Sequence, residues 1–201
     1  SQDGYYFIEP GSGYLACGYV AKGRMEEPMQ ILSVINKFFT QQKNVVKSSF
    51  SGKRALVTAG PTVEVIDPVR YVSNRSSGKM GYAIAEALRD KGAIVTLISG
   101  PTHLSLPEGI NVVKVESADD MFQAVTERFA KQDIVIKAAA VSDYTPMDIL
   151  EHKLKKQEGG LSVQFKRTKD ILKYLGENKT HQYLVGFAAE TQNIEQYALD
   201  K

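Results

Sequence analysis

The chain has 201 residues, 43% of them hydrophobic and 24% charged, with a formal net charge of +2 at pH 7. That length buries one sizeable core with room for a small appendage. So mild a charge excludes nucleic-acid binding by bulk attraction, and any anion must be met by local placement of Lys and Arg.

A single Cys leaves no intramolecular disulfide, which suits a reducing, cytoplasmic setting. No apolar run approaches the roughly 18 residues that span a bilayer. In chain order, residues 1–40 do not read as the opening of a domain. Tyr5 to Ile8 is patterned as a strand, but Pro10, Gly11, Gly13, Gly18 and Gly23 interrupt too often for a core of its own. Met29 to Phe39 predicts a short amphipathic helix with apolar residues at 31, 32, 35, 38 and 39. Residues 41–52, polar and without period, predict a linker, which leaves 53–201 as the main domain.

Arg54 to Thr58 predicts a buried strand, broken at Ala59-Gly60-Pro61, where Gly permits unusual dihedrals and Pro cannot donate to a ladder. A long polar loop follows, crowded with Asp67, Arg70, Asn74, Arg75 and Lys79. From Lys79 the spacing predicts a helix with Met80, Ala83, Ile84, Ala87 and Leu88 on its apolar face and Gly92 as its stop. Ser76, Ser77 and Gly78 would let an anion reach free N–H groups at the helix start, although the same run also serves as an ordinary cap. The loop fits neither common nucleotide motif. Its glycines are misplaced for G-x-G-x-x-G, Ser73 stands where a P-loop needs Gly, and Met80 stands where it needs Ser or Thr.

Ala93 to Ser99 is a β-branched run that predicts a strand covered on both faces. Asn111 to Val115 predicts another short strand. Ser117 caps a helix with an acidic first turn and an apolar face of Met121, Phe122, Val125 and Phe129. Asp133 to Ala140 predicts the next buried strand. This order predicts an α/β, Rossmann-like three-layer fold, a mostly parallel sheet with helices on both faces. Ligands in such sheets sit beyond the carboxyl ends of the strands, so Ala59 to Gly78 and Ala138 to Lys156 are expected to line one crevice.

Within that second loop Ala138, Ala139 and Ala140 leave the backbone open to a flat ligand. Asp143 offers a carboxylate to an amino group, a hydroxyl or a metal. Lys153, Lys155 and Lys156 can neutralise a polyphosphate, although a K-x-K-K run by itself usually marks a solvated face. Val163 to Phe165 predicts an edge strand. Thr168 is expected to cap a helix with Ile171, Leu172 and Leu175 on its apolar face, a further seat for an anion. Tyr183 to Thr191 reads as a strand, Gly186 and a polar turn.

The segment Thr58-Ala-Gly-Pro-Thr-x-Glu64, followed by Asp67-Pro-Val-Arg-Tyr-Val-Ser-Asn-Arg-Ser-Ser-Gly-Lys-Met-Gly81, resembles phosphopantothenoylcysteine synthetase, the synthetase half of the bifunctional bacterial coenzyme A biosynthesis protein. The resemblance continues through the Ala-Ala-x-x-Asp-Tyr segment ending at Tyr144, the lysine run from Lys153, and Val185-Gly-Phe-Ala-Ala-Glu-Thr191. It implies a ligase that joins 4′-phosphopantothenate to L-cysteine with CTP and Mg²⁺ through an acyl-cytidylate, releasing pyrophosphate and then CMP. It also implies a homodimer, with no nucleic acid and no membrane as partner.

By the same resemblance, Asp143 and the backbone of Lys137, Ala138 and Ala139 form the cytidine site, and Phe187 packs near the base. Lys153 meets the triphosphate. Thr168, Lys169, Asp170 and Ile171 form the triphosphate turn, where relatives commonly carry Asn-Pro-Asp. Lys201 is the first of two nucleotide-binding lysines. Asn74 holds the acyl-cytidylate for the second half-reaction, while Arg70, Arg75 and Gly78 bind the acid substrate. Asn74, Lys153 and Arg70 are the catalytic set, and the metal ligands are left open.

Glu9 to Gly18 and Gly23 to Pro28 resemble the end of the flavin-dependent decarboxylase that precedes the synthetase in the bifunctional protein. Cys17 matches its acid but is expected to be stranded, with FMN belonging only to the full-length protein. The resemblance further implies that the chain stops short of the family's C-terminal region. The alternative is therefore a nucleotide-binding fragment without turnover. A nicotinamide-dependent reductase is disfavoured by the missing glycine fingerprint.

Overall fold

The computed structural model describes residues 8, 11–14, 20–24, 26–45, 49–155 and 159–187. Cys17, Lys156, Lys201, all but the last residue of the predicted Tyr5 to Ile8 strand, and the turn after Phe187 lie outside the described residues. The chain divides into two compact units, Ser1–Ser49 and Phe50–Lys201.

In the first unit β1 (Gly11–Tyr14) pairs antiparallel with β2 (Val20–Arg24), and α1 (Pro28–Val45) follows. Pro28 stands at the first helical position, where its missing N–H costs nothing. The helix runs through Gln41 to Val45, where a linker is predicted. Polarity alone does not end a helix: Gln and Lys propagate one readily, and no Gly or Pro stops this one.

The second unit is built on β3 (Arg54–Ala59), β6 (Ile94–Ser99), β7 (Asn111–Lys114), β8 (Ile134–Lys137) and β11 (Tyr183–Gly186). All pair in parallel in the order β11-β8-β3-β6-β7. This is the doubly wound order, with the earliest strand central: the chain steps outward from β3 to β6 and β7, then crosses back to β8 and β11 on the other side. Side chains of β3 alternate between two cores. Ala55, Val57 and Ala59 pack under α2 (Lys79–Asp90) with Tyr82, Ala85 and Leu88. Leu56 faces Met121, Val125 and Phe129 of α3 (Ala118–Phe129) and Ile171 and Leu175 of α4 (Ile171–Asn178). Helices on both faces explain why these strands read as unbroken apolar runs.

Several local expectations change. The face of α2 that is buried carries Gly81, Tyr82, Ala85 and Leu88, whereas Met80, Ala83 and Ala87 are exposed. The cause is Gly81, which a count of apolar residues passes over. A Cβ there would lie 2.5 Å from the Ala59 Cβ and 2.9 Å from the Thr58 carbonyl oxygen, so only glycine lets the helix ride this close to the strand. The polar loop after β3 contains an antiparallel hairpin, β4 (Val63–Asp67) and β5 (Arg70–Ser73). Glu64, buried in β4, accepts the Ala118 N–H at 2.9 Å and fastens the hairpin to the start of α3.

The predicted strand to Ala140 ends at Lys137, and Ala140 instead forms an isolated parallel bridge with Pro61. The expected strand at Val163 to Phe165 is β10 (Phe165–Arg167), paired antiparallel with β9 (Tyr144–Pro146), which had no sequence signal. Ser117 caps α3 as expected, in a reciprocal capping box with Asp120. The cap of α4 is Asp170 rather than Thr168: Asp170 accepts the Lys173 N–H at 3.0 Å, and the Thr168 hydroxyl donates to the Ser142 carbonyl at 2.7 Å.

Candidate functional site

The chain runs outward from β3 through β6 to β7 and then crosses to β8 on the other side of β3, which opens a crevice at the carboxyl ends of β3 and β8. The loops that leave these strands are stitched together there. Thr62 N–H donates to the Ala140 carbonyl at 3.2 Å, and Ala140 N–H donates to that of Gly60 at 2.9 Å. The Thr58 hydroxyl accepts the Ala139 N–H at 3.1 Å, and the Thr62 hydroxyl accepts the Ser142 N–H at 3.0 Å. Asn74 joins the same seam: its amide donates to the Ala140 carbonyl, while its carbonyl accepts the Ser76 N–H at 3.0 Å. The two loops expected to share a crevice are thus in contact.

Beside this seam lies a cavity of about 350 Å³. Of the residues singled out for nucleotide binding, Lys137, Asp143, Thr168, Lys169, Asp170, Ile171 and Phe187 line it. Ala138, Ala139 and Lys153 do not, nor do Arg70, Asn74, Arg75 and Gly78 of the other loop. Lining residues that the sequence reading missed are Val141, Tyr144, Arg167, Leu172 and Gly186. Only Arg167 carried a usable signal, a cation directly before the Thr168 turn. Thr168 N–H donates to the Asp143 carbonyl at 2.9 Å, so the two charged walls are tied by backbone. Lys169 is drawn outward: its ammonium lies 2.9 Å from Asp119 and 4.9 Å from the centre of the Phe122 ring.

Asp67 is 1% exposed and holds the hairpin turn. One carboxylate oxygen accepts the N–H groups of Val69 and Arg70, each at 2.8 Å. The other takes the Arg70 guanidinium at 2.8 Å and the Leu154 N–H at 3.1 Å. Lys153, next to Leu154, is exposed, as are Asn74 and Arg75. Gly78, at φ 77°, caps α2 without a side-chain bond, and no acidic residue occupies the first turn of that helix.

Burial would raise the Asp67 pKa, but the N–H donors of Val69, Leu154 and Arg70 and the Arg70 charge outweigh it and hold the group below 3.8. Asp119 is lowered chiefly by the Lys169 hydrogen bond, Asp120 by the Ser117 N–H, and Asp133 by the Arg54 N–H. A depressed carboxylate stabilises the fold fully above its unfolded value, and that contribution disappears as pH falls through the folded value. The melting temperature is therefore expected to drop steeply below about pH 4. Asp67→Asn should remove part of that acid slope, and an identical slope in the variant would exclude Asp67 as a contributor.

Residues 50–201 match the family described as DNA/pantothenate metabolism flavoprotein C-terminal domain. The chain is 55% identical over 201 residues to the coenzyme A biosynthesis bifunctional protein CoaBC of Bacillus subtilis (strain 168), covering 100% of this chain and 49% of that protein. It is 48% identical over 199 residues to the CoaBC of Haemophilus influenzae, covering 98% of this chain and 48% of that protein. The chain thus spans about half the length of the curated relatives it matches. Among solved structures, the C-terminal domain of CoaBC superposes with a TM-score of 0.68 at 52% identity, covering 77% of this chain and 73% of that one. A Cab2 variant in complex with phosphopantothenate-cysteine shares the fold at a TM-score of 0.63 and 18% identity, covering 87% of this chain and 77% of that one.

Proposed function

Because the chain belongs to the DNA/pantothenate metabolism flavoprotein C-terminal domain family, we propose that it is the ligase portion of a coenzyme A biosynthesis protein, joining 4′-phosphopantothenate to cysteine at the expense of CTP. The observation that carries this reading is the cavity where Lys137, Asp143, the turn from Thr168 to Ile171, and Phe187 meet, beside the seam that Asn74 closes. Its volume and mixed lining suit one nucleotide.

A carboxylate does not acylate an amine at neutral pH, because its leaving group is too poor. In the proposed first step a carboxylate oxygen of phosphopantothenate attacks the α-phosphorus of CTP, forming a C–O–P link and expelling pyrophosphate. In the second the cysteine amine attacks the acyl carbon, the C–O bond to CMP breaks, and the ammonium proton is lost to solvent. The protein's part is to align the reactants and neutralise charge. For the triphosphate the cations are Arg167, at the cavity, Lys169, once its ammonium leaves Asp119, and Lys153, which does not line the cavity. Arg70 and Arg75 serve the acid.

Among the described residues no group of three or more His, Cys, Asp or Glu is arranged to hold a metal ion. A homodimer is supported by the apolar residues Val69, Tyr71 and Val72 exposed on the hairpin, with Ile149 and Leu150 beside them, where Leu150 N–H donates to the Ile66 carbonyl. Among the described residues no helix is long and apolar enough to cross a membrane.

The test uses CTP labelled in its γ-phosphate, Mg²⁺ and phosphopantothenate. Pyrophosphate release that depends on the acid supports the ligase. Binding of CTP with no acid-dependent release would leave a nucleotide-binding module.

A further inference from the structure

Leu154 sits between the lysines Lys153 and Lys155, and the hairpin grips it by both backbone edges. Its N–H donates to one Asp67 carboxylate oxygen at 3.1 Å, and its carbonyl accepts from the Arg70 guanidinium at 3.1 Å. The guanidinium is itself paired with that same Asp67 oxygen at 2.8 Å. Two side chains thus do for Leu154 what a neighbouring strand would do, satisfying donor and acceptor together. The two carboxylate oxygens divide the work. One is spent on the turn N–H groups of Val69 and Arg70, which any hairpin of this shape needs. The other serves only the clasp on Leu154.

We propose that Asp67 is a positioning residue for the lysine segment: through Arg70 and the backbone of Leu154 it fixes where Lys153 presents its charge. This rests on the proposal that Lys153 meets the nucleotide triphosphate. The clasp also makes Arg70 a shared group. Its side chain is 40% exposed, so it still has surface to offer an anionic substrate while it holds the loop. An anion drawing the guanidinium away would loosen the segment that carries Lys153, which couples the acid site to the triphosphate site through one side chain.

Asp67→Asn separates the two roles, because the remaining carbonyl oxygen can keep the turn while the amide nitrogen cannot accept the Leu154 N–H. Hydrogen exchange on the full chain should show the Leu154 amide losing at least about tenfold of its protection, with the amides of β3 unchanged. Equal protection of Leu154 in variant and wild type would overturn the clasp. Arg70→Lys covers the case in which Asp67→Asn does not fold. It keeps the ion pair but loses the second nitrogen, and should expose Leu154 to a lesser degree.

Titration with magnesium–CTP then reads the consequence. Asp67→Asn should weaken binding roughly tenfold, the order expected when a charged contact is misplaced. Asp67→Asn combined with Lys153→Gln should bind no worse than Lys153→Gln alone. Losses that simply add would reduce Asp67 to a turn former. If wild type binds no CTP, the ligase reading fails, while the exchange result still decides the clasp.

Discussion

Gly100→Ala is expected to lower the melting temperature by about 6–12 °C, the equivalent of roughly 3 kcal/mol at the upper end of overpacking costs for a domain of this size. A Cβ built on Gly100 would lie 1.7 Å from the Pro61 carbonyl oxygen and 2.9 Å from its carbon, both backbone atoms that no rotamer change can move. Gly100 N–H also donates to the Ala59 carbonyl at 3.0 Å, so β6 and β3 are pinned together where they leave the sheet. The added methyl must drive Pro61 away, and Pro61 carries the bridge to Ala140 that sets the floor of the crevice. Nucleotide binding should therefore suffer along with stability. Gly160→Ala is the control, since nothing lies within 4 Å of the added carbon. If the two variants melted within about 1 °C of each other, the close approach of these loops would be wrong.

For Asn74→Ala the expected loss is in the second half-reaction alone, about 10²–10³-fold in ligation, the scale seen on removing one hydrogen-bond donor aimed at developing charge. Pyrophosphate release should persist and the acyl-cytidylate should accumulate, detectable by quenching and chromatography. The structure adds a second expectation. Because the Asn74 amide donates to the Ala140 carbonyl, Asn74→Asp sets a carboxylate against a carbonyl oxygen and should open the seam between the loops. Asn74→Asp should thus be less stable than Asn74→Ala despite its closer shape. Complete loss of pyrophosphate release by Asn74→Ala would remove Asn74 from the role proposed for it.

Strands β3, β6 and β8 are legible in the sequence because each is covered on both faces and reads as a continuous apolar run. The hairpin is not, and the reason is physical. Pro61 and Asp67-Pro68 advertise a loop, while what holds β4 and β5 together is long-range: buried Glu64 on the α3 terminus and buried Asp67 reaching Leu154. The face of α2 is misread for a related reason, since contact at Gly81 depends on having no side chain. Within the cavity, Lys137 and Phe187 are reached only through resemblance to a family, whereas Asp143 and Thr168 also stand out by themselves, as a loop carboxylate and a hydroxyl at a helix start. Arg167 and Tyr144 belong to strands that only their mutual pairing creates. Asp67 was visible merely as one charge among several, because nothing in its neighbourhood of sequence reveals a partner 87 positions away.

That separation has a kinetic corollary. Bonds spanning 84 and 87 positions close a large loop, and they form only after the parallel sheet has brought their ends together. The lysine arm should be among the last pieces to dock as the domain folds and among the first to detach from it. Substitutions at Asp67 are then expected to quicken detachment while leaving the refolding rate nearly untouched.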